Sequence, residues 1–526
     1  MLRFSTLLAA LLSATAIAQT TPIVETIAPN HLVVVYRSGI IPANAEAQIT
    51  LAGAHLTRRL DRFGMVAVSI TATDSETRLA TQPGVATVLH DRLVTAHSIM
   101  LEPQRDATPN VIVEPPTPIL PLSPGILHPT PFPIAHLPPT ADTYYASPQG
   151  WAVQQSGGFG DNVPTGSSTT PTTGPWNTSR GAGVRIAILD SGVDANHPDI
   201  SPNLALNLSE IDQSPQTGLP SACDDGGPQD QQGHGTWTAS LATGALGAGT
   251  GLVVGVAPQA TLLNIKVIER LPGTGATPAA ACESGQASGL LSWVLQGIDD
   301  AVTNHADVIS MSLGTLIDIT TGDGAGWKAQ FDAVTYAAAQ SGTIIVAALG
   351  NDGLNLSPAG PNARYIELPA QARSVLSVIA STNPACAENL TANATCTPGP
   401  ITMPYYSNYG ATNAIAAPGG SYPEGADTAV SGYVRGACSS GLTNTTDGLP
   451  ASGQSFGCFN LGHVQYVQAM GTSASAPLVA GAAAILRAAH PTWTAAQIIT
   501  TLQASATHLS TITIPVLNLP AALILN

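Results

Sequence analysis

The sequence predicts an α/β protein built on a mostly parallel sheet flanked by helices, and three stretches of the chain carry that prediction. Val184, Ile186, Ala187, Ile188 and Leu189 form a short apolar run. Such a run reads as a strand buried on both faces, as parallel strands are. Residues 236–242 have helix-compatible composition, and residues 474–489 are Ala-rich with Leu478, Val479, Ala482 and Ile485 at helical spacing.

Each stretch abuts a residue with chemistry. Asp190 closes the apolar run and is followed by a Ser-Gly turn. The carboxyl end of an open parallel sheet is where ligands bind, so the carboxylate stands at a useful place. His234 lies in DQQGHGTWTAS, between Gly233 and Gly235 and close to a helix start; glycine lets the backbone approach its neighbours. Ser473 lies in MGTSASAPLVAG at the head of the Ala-rich helix. Backbone N–H groups and the positive dipole end there suit a developing oxyanion. Acyl transfer at neutral pH requires a nucleophile, a base and an anion that orients the base, and Ser473, His234 and Asp190 offer one of each. The chain order Asp, His, Ser is a known order for this constellation.

Further blocks extend the pattern: GVAPQATLLNIKV (255–267), ADVISMSLG (306–314), VAALGNDG (346–353), YSNYG (406–410) and AAPGG (416–420). With these in order, the chain resembles the subtilisin-like serine peptidases (peptidase family S8) over most of 176–510. The resemblance implies the subtilisin-like three-layer α/β fold. It implies that Asp190 orients the imidazole, that His234 is general base and then general acid, and that Ser473 is the nucleophile. It further implies that Asn351 supplies the side-chain amide of the oxyanion hole, with the Ser473 N–H as second donor. Ser312, Leu313 and Gly314 match the segment that pairs with an extended peptide and forms one wall of the P1 pocket, and Ala347, Ala348 and Leu349 match the opposite wall. A peptide would then add as a strand to a sheet edge.

Some positions depart from the family pattern. Trp237 stands where many relatives have a second histidine, and Ala474-Ser475-Ala476 replaces the more frequent Met-Ala-Ser or Met-Ala-Ala. GTSASAP is also similar to the sedolisins, which use a glutamate base, but the intact GHGT argues against that reading. In place of an Asn-rich calcium loop stands LGAGTGLVVG (246–255), with Thr250 as its one side-chain oxygen. Calcium takes six to eight oxygens, so no calcium is expected there, and no metal or cofactor is expected for the chemistry.

Upstream, Arg3, an apolar run from Phe4 to Ile17 and Ala16-Ile17-Ala18 read as a signal peptide, residues 1–18. It is too short to span a membrane, and no later stretch reads as a membrane span. The protein is expected outside the cytoplasm, secreted to the medium or the periplasm. Residues 19–97 read as a small α/β unit: strands in NHLVVVYR (30–37), FGMVAVSI (63–70) and VATVLHD (85–91), and a helix in SETRLATQPG (75–84). This order resembles the inhibitor-type (I9) propeptide of subtilisins, which implies an intramolecular inhibitor, a self-processed zymogen and a cut near Ala96 to Ser98. Proline recurs through the linker, 98–140, which excludes helix and central strand. The peptidase domain is expected over 141–526. Within it, a polar stretch (157–174) lies between Trp151 and Trp176, and a longer insertion (421–465) is expected to overhang the cleft.

Charged residues make up 10% of the chain, well below the roughly one quarter of typical domains, while 44% are hydrophobic. Beyond residue 106 stand 25 Asp and Glu against 9 Lys and Arg. That acidic balance repels nucleic acid and anionic membranes, leaving protein or peptide substrates as partners of a monomeric enzyme. So few carboxylates also predict tolerance of mild acid. Six cysteines behind a secretion signal suggest disulfides. Fifteen pairings are possible; short loops favour Cys386 with Cys396 and Cys438 with Cys458, leaving Cys223 with Cys282. Asn177, Asn207, Asn355, Asn389, Asn393 and Asn444 begin Asn-x-Ser/Thr sequons.

Overall fold

The computed structural model describes residues 27–96, 150–156, 174–212, 220–246, 253–283, 285–382, 401–421, 434–439, 466–509 and 512–525. The signal peptide, the linker, four sequon-bearing or cysteine-bearing positions (Asn389, Asn393, Cys386, Cys396) and most of the 157–174 and 421–465 stretches lie outside them.

An N-terminal unit runs β1 (Ile27–Tyr36), α1 (Ala45–Leu51), β2 (Ala54–Leu60), β3 (Met65–Ile70), α2 (Ser75–Ala80) and β4 (Val85–Ala96). Strand β1 pairs antiparallel with β3 and β4, and β3 pairs with β2. The uninterrupted apolar LVVVY of β1 follows from two buried faces. Leu32, Val34 and Tyr36 pack with Ile49 of α1 and Leu79 of α2, whereas Val33 and Val35 join the core of the larger unit. Two elements escape the sequence reading, α1 and β2. Strand β2 is an edge strand with paired arginines, and Arg58 satisfies its charge across the unit boundary, on the carboxylates of Glu210 and Asp212.

The larger unit continues α3 (Trp151–Gln155), α4 (Pro175–Thr178), β5 (Arg185–Asp190), β6 (Leu204–Ser209), α5 (His234–Thr243), β7 (Thr261–Lys266), β8 (Glu269–Arg270), α6 (Pro278–Glu283), β9 (Ala287–Leu290) and α7 (Leu291–Thr303). Next come β10 (Val308–Met311), β11 (Leu313–Asp318), α8 (Gly322–Gln340), β12 (Ile344–Ala348), β13 (Tyr365–Leu368), β14 (Val375–Ser381), β15 (Ala414–Pro418), β16 (Val434–Ala437) and β17 (Tyr466–Ala469). The chain then forms α9 (Thr472–Ala489), α10 (Ala495–Ser505), β18 (Thr507–Leu509), β19 (Ile512–Val516) and α11 (Leu519–Ile524). The central sheet has the order β18-β19-β15-β14-β12-β10-β5-β7-β6, parallel except for the β18–β19 hairpin.

Alternate residues of its strands face opposite helical layers. Ile186 and Ile188 of β5 join the cluster of α5 and α9, and Ala187 and Leu189 face the opposite layer, against α7. That double burial explains the apolar run and gives the expected three-layer α/β architecture. After β5 the chain goes to β6 and β7 on one side and then crosses to β10 on the other. The crevice beyond the carboxyl ends of β5 and β10 is therefore the switch point where such sheets bind ligands.

Helix α9 corrects one expectation. Its 18 residues are long and apolar enough to cross a membrane, yet it is buried from Thr472 through Leu486 and is the central core helix. Trp151 and Trp176, at the ends of the polar stretch, are buried in the same layer, and Trp176 Nε1 donates to Val256 O at 2.8 Å. Cys223 and Cys282 are disulfide-bonded, closing a separation of 59 residues. Cys438 is also disulfide-bonded, and Cys458 lies outside the described residues.

Several carboxyl groups are buried, which sets the sign of the pH dependence. Burial pushes Glu269 up to about 7, against the Ser221 N–H that it accepts. Burial likewise pushes Asp91 up to about 6, against hydrogen bonds from Ser292 and the Arg92 N–H. Both values lie above those of an unfolded chain, so the folded state binds more protons, and the stabilisation is full below about pH 4 and lost as pH rises through 6 to 7. Half-buried His31, shifted down by desolvation, acts in the opposite sense below about pH 6.5. With Glu210, Asp230 and Asp299 raised by burial in the same sense, the carboxyl groups outweigh the one imidazole, and the uncut chain is expected to melt at a higher temperature at pH 5 than at pH 8. A higher melting temperature at pH 8 would contradict this account.

Candidate active site

Asp190 is the last residue of β5, with no exposed surface. Its Oδ1 accepts from Ser191 N at 2.7 Å and from His234 Nδ1 at 2.7 Å, and its Oδ2 accepts from Thr238 Oγ1 at 3.2 Å. A carboxylate can only accept, so Nδ1 carries the proton and Nε2 is the basic nitrogen. His234 opens α5 and is as fully buried as its partner.

The glycines of DSG and GHG make this pairing sterically possible. A Cβ on Gly235 would lie 2.0 Å from Gly192 O, inside any permitted contact. The two segments therefore meet backbone to backbone.

Ser473 is the second residue of α9 and has no exposed surface. Helix α9 packs directly on α5. Ser473 Oγ donates to Ser312 O at 3.1 Å, and Ser312 Oγ donates to Ser473 O at 2.9 Å. The second bond has a local cause. Pro477 lies inside α9, four residues on, and has no N–H to give to the Ser473 carbonyl. The Ser312 hydroxyl takes that place and ties the serine segment to the end of β10.

Asn351 joins from the loop after β12. Its Oδ1 accepts from Thr472 N and Thr472 Oγ1, both at 3.0 Å, which leaves the amide nitrogen as the donating end of the side chain. Gly350, at φ +101°, is in the left-handed region, and its N–H donates to Thr472 Oγ1 at 3.2 Å. Asn408, from the YSNYG block, holds this loop: its Nδ2 donates to Leu349 O at 2.9 Å and its Oδ1 accepts from Asp352 N and Leu354 N.

The predicted walls fall differently. Leu313 and Gly314 begin β11 and pair antiparallel with the end of β4, Leu313 opposite Ala96 and Gly314 opposite Thr95. On its other side β4 pairs with β9, Leu93 opposite Leu290 and Thr95 opposite Ser288. The chain's own residues 93–96 thus lie as a strand between two strands of the larger unit, on the segment expected to receive a peptide. Ala347, Ala348 and Leu349 are fully buried at the end of β12, and their side chains divide between layers, Ala347 and Leu349 with α7 and α8, Ala348 with α9. Any wall common to all three is made of backbone.

Asp230 is a site residue the sequence reading missed. Its buried carboxylate accepts from Ser191 Oγ (2.9 Å), Gln232 N (3.0 Å), Gly233 N (2.6 Å), Thr236 N (3.0 Å) and Thr236 Oγ1 (2.6 Å). It links the segment after Asp190 to the start of α5. It lies four residues before α5, whose N-cap is Gly233, so no capping position marks it in the sequence.

The chain has relatives among known proteins. A family profile described as "Subtilase family" matches residues 181–517. Among curated relatives, subtilisin NAT of Bacillus subtilis subsp. natto is 30% identical over 329 residues, covering 62% of this chain and 62% of that protein. An intracellular serine protease of Paenibacillus polymyxa is 34% identical over 196 residues, covering 37% of this chain and 49% of that protein. The chain thus matches 62% of the length of subtilisin NAT and about half of the intracellular enzyme. Among solved structures, the epidermin leader peptide processing serine protease of Staphylococcus aureus superposes with a TM-score of 0.59 at 18% identity, covering 94% of this chain and 97% of that one. Fervidolysin of Fervidobacterium pennivorans gives 0.57 at 18% identity, covering 94% and 61%. At such identities the structural likeness speaks to the fold.

Proposed function

The chain belongs to the subtilase family, and from that premise we propose that it is a serine endopeptidase, made as a self-processed zymogen and secreted. The observation that carries the reading is the 2.7 Å bond between buried Asp190 and His234 at the carboxyl end of β5, on the helix that packs against α9. In the proposed reaction Ser473 Oγ attacks the scissile carbonyl carbon while His234 Nε2 takes its proton. Asp190 holds the tautomer and stabilises the imidazolium. The Asn351 amide and the Ser473 N–H receive the oxyanion, His234 returns the proton to the leaving amine, and water then hydrolyses the acyl-enzyme by the same steps.

The peptide would lie antiparallel between β9 and β11, in the place now held by residues 93–96. Main-chain pairing there supplies affinity for any extended peptide. The same placement supports the inhibitory role of the N-terminal unit (19–97), since a substrate strand and β4 cannot pair with Leu313 and Gly314 at once. The buried disulfide supports an oxidising compartment, and with it the signal peptide over 1–18. The 98–140 linker and the 141–526 peptidase domain complete the proposed organisation.

Exposure of the full chain to a fluorophosphonate after incubation tests the reading. Covalent label on Ser473 is expected, together with casein hydrolysis and a new N-terminus near residues 96–98. A chain that is cut and clear of its N-terminal unit yet takes no label and hydrolyses nothing would overturn it. Asn351→Ala is expected to lower kcat by about 100- to 1,000-fold with KM little changed, the scale on which the related subtilisin responds to loss of this donor. An unchanged kcat would remove Asn351 from the oxyanion hole.

A further inference from the structure

Strand β16 lies along the histidine helix, and its contacts converge on one side chain. Trp237, one turn after His234, has no exposed surface, and its ring meets the imidazole edge to face, with centroids 5.8 Å apart and planes at 63°. Its Nε1 donates to Val434 O at 3.2 Å. Gly436, two residues along β16, lies so close that a Cβ there would sit 2.1 Å from Trp237 Cδ1 and 3.0 Å from Ser240 Oγ. Ala437 N donates to Ser240 Oγ at 2.9 Å, and Ser439 Oγ donates to Asp230 O at 2.6 Å. Strand β16 pairs with β17, which runs through Met470 into Gly471, Thr472 and Ser473.

We propose that Trp237 is a positioning residue for His234, and that the paired strands β16 and β17, through the glycine at 436, set where Trp237 stands. This rests on the endopeptidase reading. The bond to Asp190 holds one edge of the imidazole, and the indole packs edge to face against the ring. A shift of the indole is therefore passed directly to the imidazole. An interior packed at crystal density passes a small displacement from one side chain to the next, and a reacting group misplaced by about 1 Å can cost about 100-fold in rate. The strand pair thereby holds the base and the approach to the nucleophile as one unit.

A double-mutant cycle on the matured full chain tests this, with kcat expressed per fluorophosphonate-titrated site. Gly436→Ala forces a methyl into the indole and is expected to lower kcat by about 30-fold or more, with KM within about twofold. Trp237→Phe keeps an aromatic edge but loses the Val434 bond and area, and is expected to cost about 3- to 10-fold. The double variant, in which the smaller ring makes room for the methyl, is expected to return to within about threefold of Trp237→Phe alone. A Gly436→Ala loss that persists undiminished in the double variant overturns the proposal, as does wild-type kcat per site in both single variants. If Gly436→Ala yields no titratable sites, Trp237→Phe decides: a selective fall in kcat supports the proposal, and wild-type kcat overturns it. A wild-type chain that neither labels nor hydrolyses would instead sink the endopeptidase reading.

Discussion

Ser473→Ala is expected to lower turnover of a peptide substrate by about a million-fold, the scale measured for the nucleophile of the related subtilisin. The same variant is expected to leave the precursor uncut near residues 96–98. Alanine is compatible with the first turn of α9, and the bond that the hydroxyl donates to Ser312 O is a modest loss beside the burial of the whole helix. The fold should therefore survive, with a melting temperature close to that of an uncut wild-type chain. Mass spectrometry of the N-termini, alongside peptide hydrolysis, reads both effects. Cutting at the same position in the variant, in the absence of any other protease, would separate maturation from Ser473.

Asp190→Asn is expected to cost about 10⁴-fold in kcat while leaving KM nearly unchanged, as the same change does in another Ser-His-Asp protease. The carboxylate now accepts from His234 Nδ1 and from Ser191 N on a single oxygen, with Thr238 on the other. Asparagine has room for the same shape but presents an NH₂ at one end. If its amide faces the imidazole, Nδ1 must accept, the proton moves to Nε2, and the base is lost. If its oxygen faces the imidazole, the charge that stabilises the imidazolium is still gone. A loss under about tenfold, with titrated sites unchanged, would show that His234 is oriented by something other than Asp190.

Both variants touch residues that are plain in the sequence, because short-range rules place them. An apolar run ending in Asp, a glycine-flanked His before a helix, and a Ser at the head of an Ala-rich helix are each read within about ten residues. The same holds for β1, β3 and α2 of the N-terminal unit. Strand β2 was not legible because its two arginines look like a solvated loop until Glu210 and Asp212 are brought up to Arg58 from about 150 residues away. Asp230 was hidden among ordinary turn residues until Ser191 and the head of α5 closed around it.

The sequence by itself offered Asp190, His234 and Ser473 as candidate groups, and its motif blocks in order carried the resemblance to the family that the profile match shows. Only the tertiary structure decided who meets whom. It put residues 93–96 between β9 and β11, gave the Ser473 carbonyl a hydroxyl from Ser312 where Pro477 withholds an N–H, and pressed Trp237 between the imidazole and Gly436. These are contacts between segments far apart in the chain. Their energies depend on close packing and directional bonds that exist only once the sheet has set its register.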